Sequence, residues 1–179
     1  GKLDNGVWCN QVKDFIQEVI RPKTKKKVVL IGNSLGSLVA LTCAVYLENE
    51  IFSVIASPLP EPLVIKKGEF KLNSIFQRIK TKIIKLFFIL IPLEIVLLLI
   101  NKLGIIKLGL NSAYFKKENI DKELIDIVRK PVLRKTAARS LRAMCIGMST
   151  RVYKLKASYL LEQISTSKKV PFLLLWGEK

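Results

Sequence analysis

Apolar residues at Val7, Trp8, Val12, Phe15, Ile16 and Val19 recur at three- and four-residue spacing. That period predicts an amphipathic helix over 7–19, ended by Arg21-Pro22. After the lysine-rich run from Lys23 to Lys27 the pattern changes. Val28-Val29-Leu30-Ile31 is a short continuous apolar run, which predicts a strand buried on both faces, as in a parallel sheet. Gly32-Asn33-Ser34-Leu35-Gly36 follows directly. Ser37 to Leu47, with Leu38, Val39, Leu41, Val45 and several small residues, predicts a helix packed tightly on that sheet. Phe52 to Ala56 predicts the next strand, closed by Ser57-Pro58-Leu59-Pro60. The succession is βαβ logic, and in open α/β sheets chemistry sits beyond the carboxyl ends of the strands.

The middle of the chain has a different texture. Ile83 to Ile100 is 18 residues with only Lys85 and Glu94 charged, approaching the length of a membrane span. As a span it is awkward, because Glu94 in hydrocarbon costs roughly 2.5–3.5 kcal/mol and Pro92 interrupts the helix just before it. Two helices divided at Pro92 are therefore expected, with a membrane-associated or inserted state as the competing reading. Lys80, Lys82 and Lys85 flank the segment as solvated or headgroup-facing charges. Ile120, Leu124, Ile125, Ile127 and Val128 predict an amphipathic helix capped near Asn119 or Asp121 and stopped by Pro131. A second helical stretch carries Ala137, Ala138, Leu141, Met144 and Ile146, punctuated by Arg134, Lys135, Arg139, Arg142 and Arg151. Such a basic face is more often solvated than engaged with lipid headgroups or an anionic substrate.

Composition narrows the classes. The 179 residues hold 31 Lys and Arg against 14 Asp and Glu, for a formal charge of +17, yet 50% are hydrophobic. Mean hydropathy is +0.30, which excludes a disordered polycation and leaves enough apolar surface for one domain. The lysines are mostly scattered singly or in pairs, such as Lys66-Lys67, and no groove-reading spacing occurs, so nucleic acid is not an expected partner. Histidine is absent. No unperturbed imidazole base or zinc ligand can come from these residues, and a complete Ser-His-acid triad cannot be assembled from them alone. Cys9, Cys43 and Cys145 are odd in number and far apart in sequence, indicating reduced, buried thiols rather than a disulfide scaffold or metal knuckle. No metal and no cofactor is expected. The opening Gly1-Lys2-Leu3-Asp4-Asn5 has no signal-peptide pattern.

Residues 32–36 fit G-x-S-x-G, a sharp strand-to-helix turn that holds the serine in a strained conformation. Side chains at Gly32 and Gly36 are expected to collide with the neighbouring strand and helix. Ser34 then projects its Oγ above the sheet as the candidate nucleophile, and the Leu35 backbone N–H points into the site as a candidate oxyanion donor. Asn33 shapes the turn without a catalytic role. A Gly/Ser-rich turn between strand and helix is also common for structural reasons alone. Here the strand and helix the motif requires are expected on both sides.

Three stretches resemble the α/β-hydrolase superfamily. Trp8 to Val19 looks like the helix before the nucleophile strand. Val28 to Leu47 looks like the strand, elbow and following helix. Val170-Pro171-Phe172-Leu173-Leu174-Leu175-Trp176-Gly177-Glu178-Lys179 looks like a late sheet strand with its WG turn. More distantly, Ala113-Tyr114-Phe115, Ile120 to Ile125 and Lys130-Pro131 are similar to plant and cyanobacterial pheophytinase-like hydrolases. The resemblance implies an α/β fold: a mostly parallel sheet with flanking helices and an inserted helical cap. It divides the chain into core (1–60), cap (61–165) and a return to the core sheet (166–179). It also implies that the triad acid and histidine lie outside these residues, so that the chain is expected to be a fragment. The implied chemistry is acyl transfer through Ser34 on a small or lipophilic ester. The basic charge adds an anionic membrane surface as a second candidate partner, and the compartment is left open, with a reduced intracellular compartment or a plastid-like organelle among the candidates. A serine at the elbow disfavours the aspartate-nucleophile branches. The alternative is a non-catalytic membrane-associated protein with an apolar hairpin around 83–100.

Overall fold

The computed structural model describes residues 2–59, 74–114 and 116–176, with side chains from residue 79 onward in the second stretch. Lys66-Lys67, Phe115 and the turn at Gly177-Glu178 lie outside the described residues. In chain order the elements are α1 (Asn5–Phe15), β1 (Val28–Asn33), α2 (Leu35–Tyr46), β2 (Ile51–Ser57), α3 (Ser74–Leu90), α4 (Leu93–Lys102), α5 (Ile105–Ala113), α6 (Lys122–Val132), α7 (Ala137–Thr150), α8 (Ala157–Ser167) and β3 (Phe172–Leu174). The chain is mixed α/β. It divides into a sheet-bearing unit, Leu3–Gln77 with Thr150–Lys179, and a helical unit, Arg78–Ser149.

In the sheet-bearing unit, α1 starts earlier than its apolar period suggests because Asp4 caps it. The Asp4 carboxylate accepts from Gly6 N–H at 3.0 Å and Val7 N–H at 3.1 Å, satisfying donors that the first helical turn leaves orphaned. The helix continues as a π turn over Ile16–Ile20. The three strands are parallel in the order β1-β2-β3, with Leu30 beside Val54, Gly32 beside Ala56, and Ala56 beside Leu174. Helix α2 packs on β1, β2, α1 and α8, and Leu38, Leu41, Cys43, Ile51, Val54 and Leu160 are all but sealed from solvent. Its Gly, Ala, Ser and Cys positions let that helix approach the sheet and its neighbours closely.

Two details depart from the pattern. First, β1 is not buried on both faces: its alternate residues Val29 and Ile31 are 51% and 77% exposed. Among the described elements of this unit α2 covers the opposite face, and an apolar run cannot by itself distinguish one covered face from two. Second, the dispersed cysteines are not all apart. Cys9 on α1 and Cys43 on α2 are buried and share a hydrogen bond, which lowers the Cys9 thiol pKa while the bond and burial push Cys43 well up. Buried Asn5 also ties this packing together, donating from Nδ2 to Thr42 Oγ1 at 2.8 Å and to the Leu155 carbonyl at 2.9 Å.

In the helical unit the apolar segment does break at Pro92, where α3 and α4 meet at 55°. Arg142 from α7 holds the break. Its Nε donates to the Phe88 carbonyl at 2.9 Å, its Nη2 to the Ile91 carbonyl at 3.2 Å, and the guanidinium pairs with Glu94 at 3.2 Å. The Phe88 carbonyl is one of the acceptors that the end of α3 leaves orphaned, and Ile91 is the residue that follows the helix, so Arg142 acts as a C-terminal cap. Asp121 caps α6 by accepting from Leu124 N–H at 2.7 Å. Pro131 does not stop that helix, which runs on to Val132. In the last turn a proline forfeits a single backbone bond, and its fixed φ suits the helix.

Candidate functional site

The chain leaves β1 at Asn33 and enters α2 at Leu35, so one residue makes the whole turn. That residue, Ser34, has φ 52° and ψ −116°. The combination lies outside the regions open to L-residues and costs on the order of 1–3 kcal/mol. Lys168 is the other described non-glycine residue with positive φ, and with ψ 17° it is an ordinary left-handed helix cap.

Surrounding bonds hold Ser34 in this state. Its N–H donates to the Ser57 carbonyl at 2.9 Å, extending the β1–β2 ladder by one step. Its carbonyl accepts from Ser37 N–H at 3.0 Å and more loosely from Leu38 N–H at 3.4 Å, which begins α2. Gly32 makes the close approach possible: a Cβ there would sit 2.4 Å from the Gly36 backbone carbon and oxygen and 2.6 Å from Ser37 N. Gly36 does not share the constraint expected of it, since a Cβ there meets nothing within 4 Å. The crowding is one-sided because it is the Gly36 backbone, rather than any side chain it would carry, that abuts Gly32.

Ser37 is the residue that motif reasoning missed. It is fully buried, and its hydroxyl lies 2.8 Å from the Gly32 carbonyl and 3.1 Å from the Ser57 carbonyl, and accepts from Ser57 N–H at 2.8 Å. It therefore ties together both strand ends that frame the elbow. A polar residue on the sheet-facing side of an otherwise apolar helix was the available clue, but sequence alone does not tell which side faces the sheet.

A serine immediately before a helix ordinarily folds its oxygen back onto the first-turn N–H groups. Ser34 makes no such capping bond, and the residue is exposed. Leu35 and Gly36 open α2, where N–H groups have no preceding helical carbonyl to bond. An exposed serine thus immediately precedes the positive end of a helix and its first backbone donors, an arrangement suited to nucleophilic attack and to holding a developing oxyanion. Asn33 is exposed and pairs with Ser57 across the ladder.

Because the strands are parallel, the carboxyl end of β3 emerges at the same end of the sheet as Ser34, with β2 between them. Leu175 N–H donates to the Ala56 carbonyl at 2.9 Å, so pairing runs to the last residues before Trp176. Among the described residues no three His, Cys, Asp or Glu side chains gather as a metal site. Comparison with protein-family models, curated proteins and solved structures gives no match. The geometry around Ser34 therefore carries the functional reading. Hollows in the helical unit, such as one of about 550 Å³ along α6 lined by Lys122, Asp126, Arg129 and Leu133, contain no elbow residue.

Proposed function

We infer that this chain carries the nucleophile elbow of a serine hydrolase of the α/β-hydrolase type, acting on an ester-like bond. The observation that carries the reading is the backbone of Ser34, held at φ 52° and ψ −116° between a parallel strand and a helix, with Gly32 too crowded for any side chain. A turn that only reversed the chain would not need a strained, exposed serine that makes no capping bond to the helix it precedes.

In this reading Ser34 Oγ attacks the substrate carbonyl carbon as its proton passes to an imidazole. The carbonyl π bond opens to an oxyanion, which the Leu35 N–H helps to hold. Collapse of the tetrahedral species re-forms the carbonyl and expels the alcohol, which takes the proton from the imidazolium. Water then repeats the sequence on the acyl-serine and releases the acid. Since the 179 residues contain no histidine, the base comes from outside them. Residues past the WG turn are the place where the resemblance puts the acid. By its position between β2 and β3 in the chain, the helical unit takes the part of the inserted cap.

The test is labelling by a fluorophosphonate probe of the protein that includes these residues and its histidine. Ser34→Ala is expected to abolish labelling, and Ser167→Ala to leave it intact. A folded protein of that kind that takes up no probe would make the elbow a purely structural turn.

A further inference from the structure

On α3 the exposed residues Ile79, Ile83, Leu86, Phe87 and Leu90 are each 50–70% accessible and recur at three- and four-residue spacing. They form one stripe along the helix, while Ile84 and Phe88 turn inward and are half-buried. Exposed Lys80 and Lys82 lie on the two sides of the stripe. The pattern continues past the break on α4, where Ile95, Leu98 and Leu99 are each about half exposed. Apolar area this contiguous is unusual on a monomer's surface and marks an interaction site.

Charge and length decide the occupant. Fifteen Lys and Arg against five Asp and Glu make the helical unit Arg78–Ser149 strongly cationic. An apolar stripe with flanking lysines is the arrangement of helices that lie in the plane of an anionic bilayer, rings and aliphatic chains below the headgroups and ammonium groups among them. A transbilayer placement is disfavoured by the break. No single described helix is long and apolar enough to cross a membrane; Ile79–Leu90 and Leu93–Lys102 reach that length and apolarity only together, and they are bent by 55°. The break between them also holds the Arg142–Glu94 ion pair, whose side chains are 23% and 60% exposed and would have to be stripped of water inside the bilayer. We propose that the α3–α4 face docks in the interfacial plane of anionic lipid bilayers without crossing them. This rests on the helical unit alone and stands or falls independently of Ser34.

The experiment is co-flotation of the 179-residue chain with vesicles of phosphatidylcholine alone or with 30 mol% phosphatidylglycerol added. Recovery with the anionic vesicles is expected to exceed that with the zwitterionic ones at least tenfold at low salt and to fall as salt is raised. The double variant Leu86→Asp/Phe87→Asp should lose at least tenfold in binding, and Lys80→Glu/Lys82→Glu should bring anionic binding down to the zwitterionic level. Circular dichroism verifies that each variant is folded. Should either fail to fold, Phe87→Trp replaces it, with quenching by shallow-brominated lipids expected to exceed that by lipids brominated deep in the chain. Binding unchanged in the folded variants, deep quenching, retention through alkaline carbonate, or dimerisation through this face with no vesicle binding would each overturn the proposal.

Discussion

Adding one methyl group at Gly32 is the most direct probe of the elbow. In Gly32→Ala the new Cβ would stand 2.4 Å from the Gly36 carbonyl carbon and oxygen and 2.6 Å from Ser37 N. All three neighbours are backbone, so no side chain can rotate away. Relief requires moving the first turn of α2, which is fixed by Ser37 N–H to the Ser34 carbonyl at 3.0 Å and by the Ser37 hydroxyl to the Gly32 carbonyl at 2.8 Å. Overpacking a well-filled site costs typically 1–3 kcal/mol, and backbone contacts place this one at about 3 kcal/mol. At roughly 2–4 °C per kcal/mol for a chain of this size, Tm should fall by about 6–12 °C. Gly36→Ala is the matched control. A Cβ there meets nothing within 4 Å, and exchanging a helical glycine for alanine gains up to about 1 kcal/mol. Thermal and urea denaturation followed at 222 nm measure both variants under the same conditions. Equal stability of the two, or Gly32→Ala as stable as the parent, would refute the packing account and with it the tight strand-to-helix turn.

Three further outcomes are expected. Ser34→Gly should be more stable than Ser34→Ala, because relief of about 1–3 kcal/mol of backbone strain exceeds the roughly 0.5–1 kcal/mol that glycine's unfolded-state freedom costs; equal urea midpoints would remove the strain. Ser37→Ala should destabilise by about 1–3 kcal/mol in the same assay, since the part-buried Gly32 carbonyl and Ser57 N–H each lose a partner, and Ser37→Cys should recover less than half of the loss. Glu94 is held below the usual carboxylate range by its own backbone N–H at the start of α4 and then by Arg142. Such a group binds fewer protons folded than unfolded, so its contribution is complete above the ordinary carboxylate range and is lost as pH falls through the lowered value. Glu94→Gln should flatten that acid-side loss in a pH series of urea midpoints, and a curve identical to the parent's would refute the pairing.

The sequence by itself determined much of the local organisation. Hydrophobic period located α1, β1, α2 and β2, Pro92 marked a helix break, and a helix start was narrowed to Asn119 or Asp121, because these features depend on backbone chemistry within a few residues. G-x-S-x-G likewise singled out Ser34, since the turn it describes is closed within five residues. Contacts between distant parts of the chain were decided only by the tertiary structure. An apolar run could not reveal that Val29 and Ile31 are exposed, because burial is set by what packs opposite. Pro131 ends a helix in a pattern rule yet is accommodated in the last turn of α6, where little is left to break. Cys9 and Cys43 come into contact, and Arg142 reaches carbonyls some fifty residues away, because packing of helix on helix, which has no signature in residue order, brings them there. Ser37 joins the elbow for the same reason: its importance lies in facing Gly32 and Ser57 across a strand boundary that only folding creates.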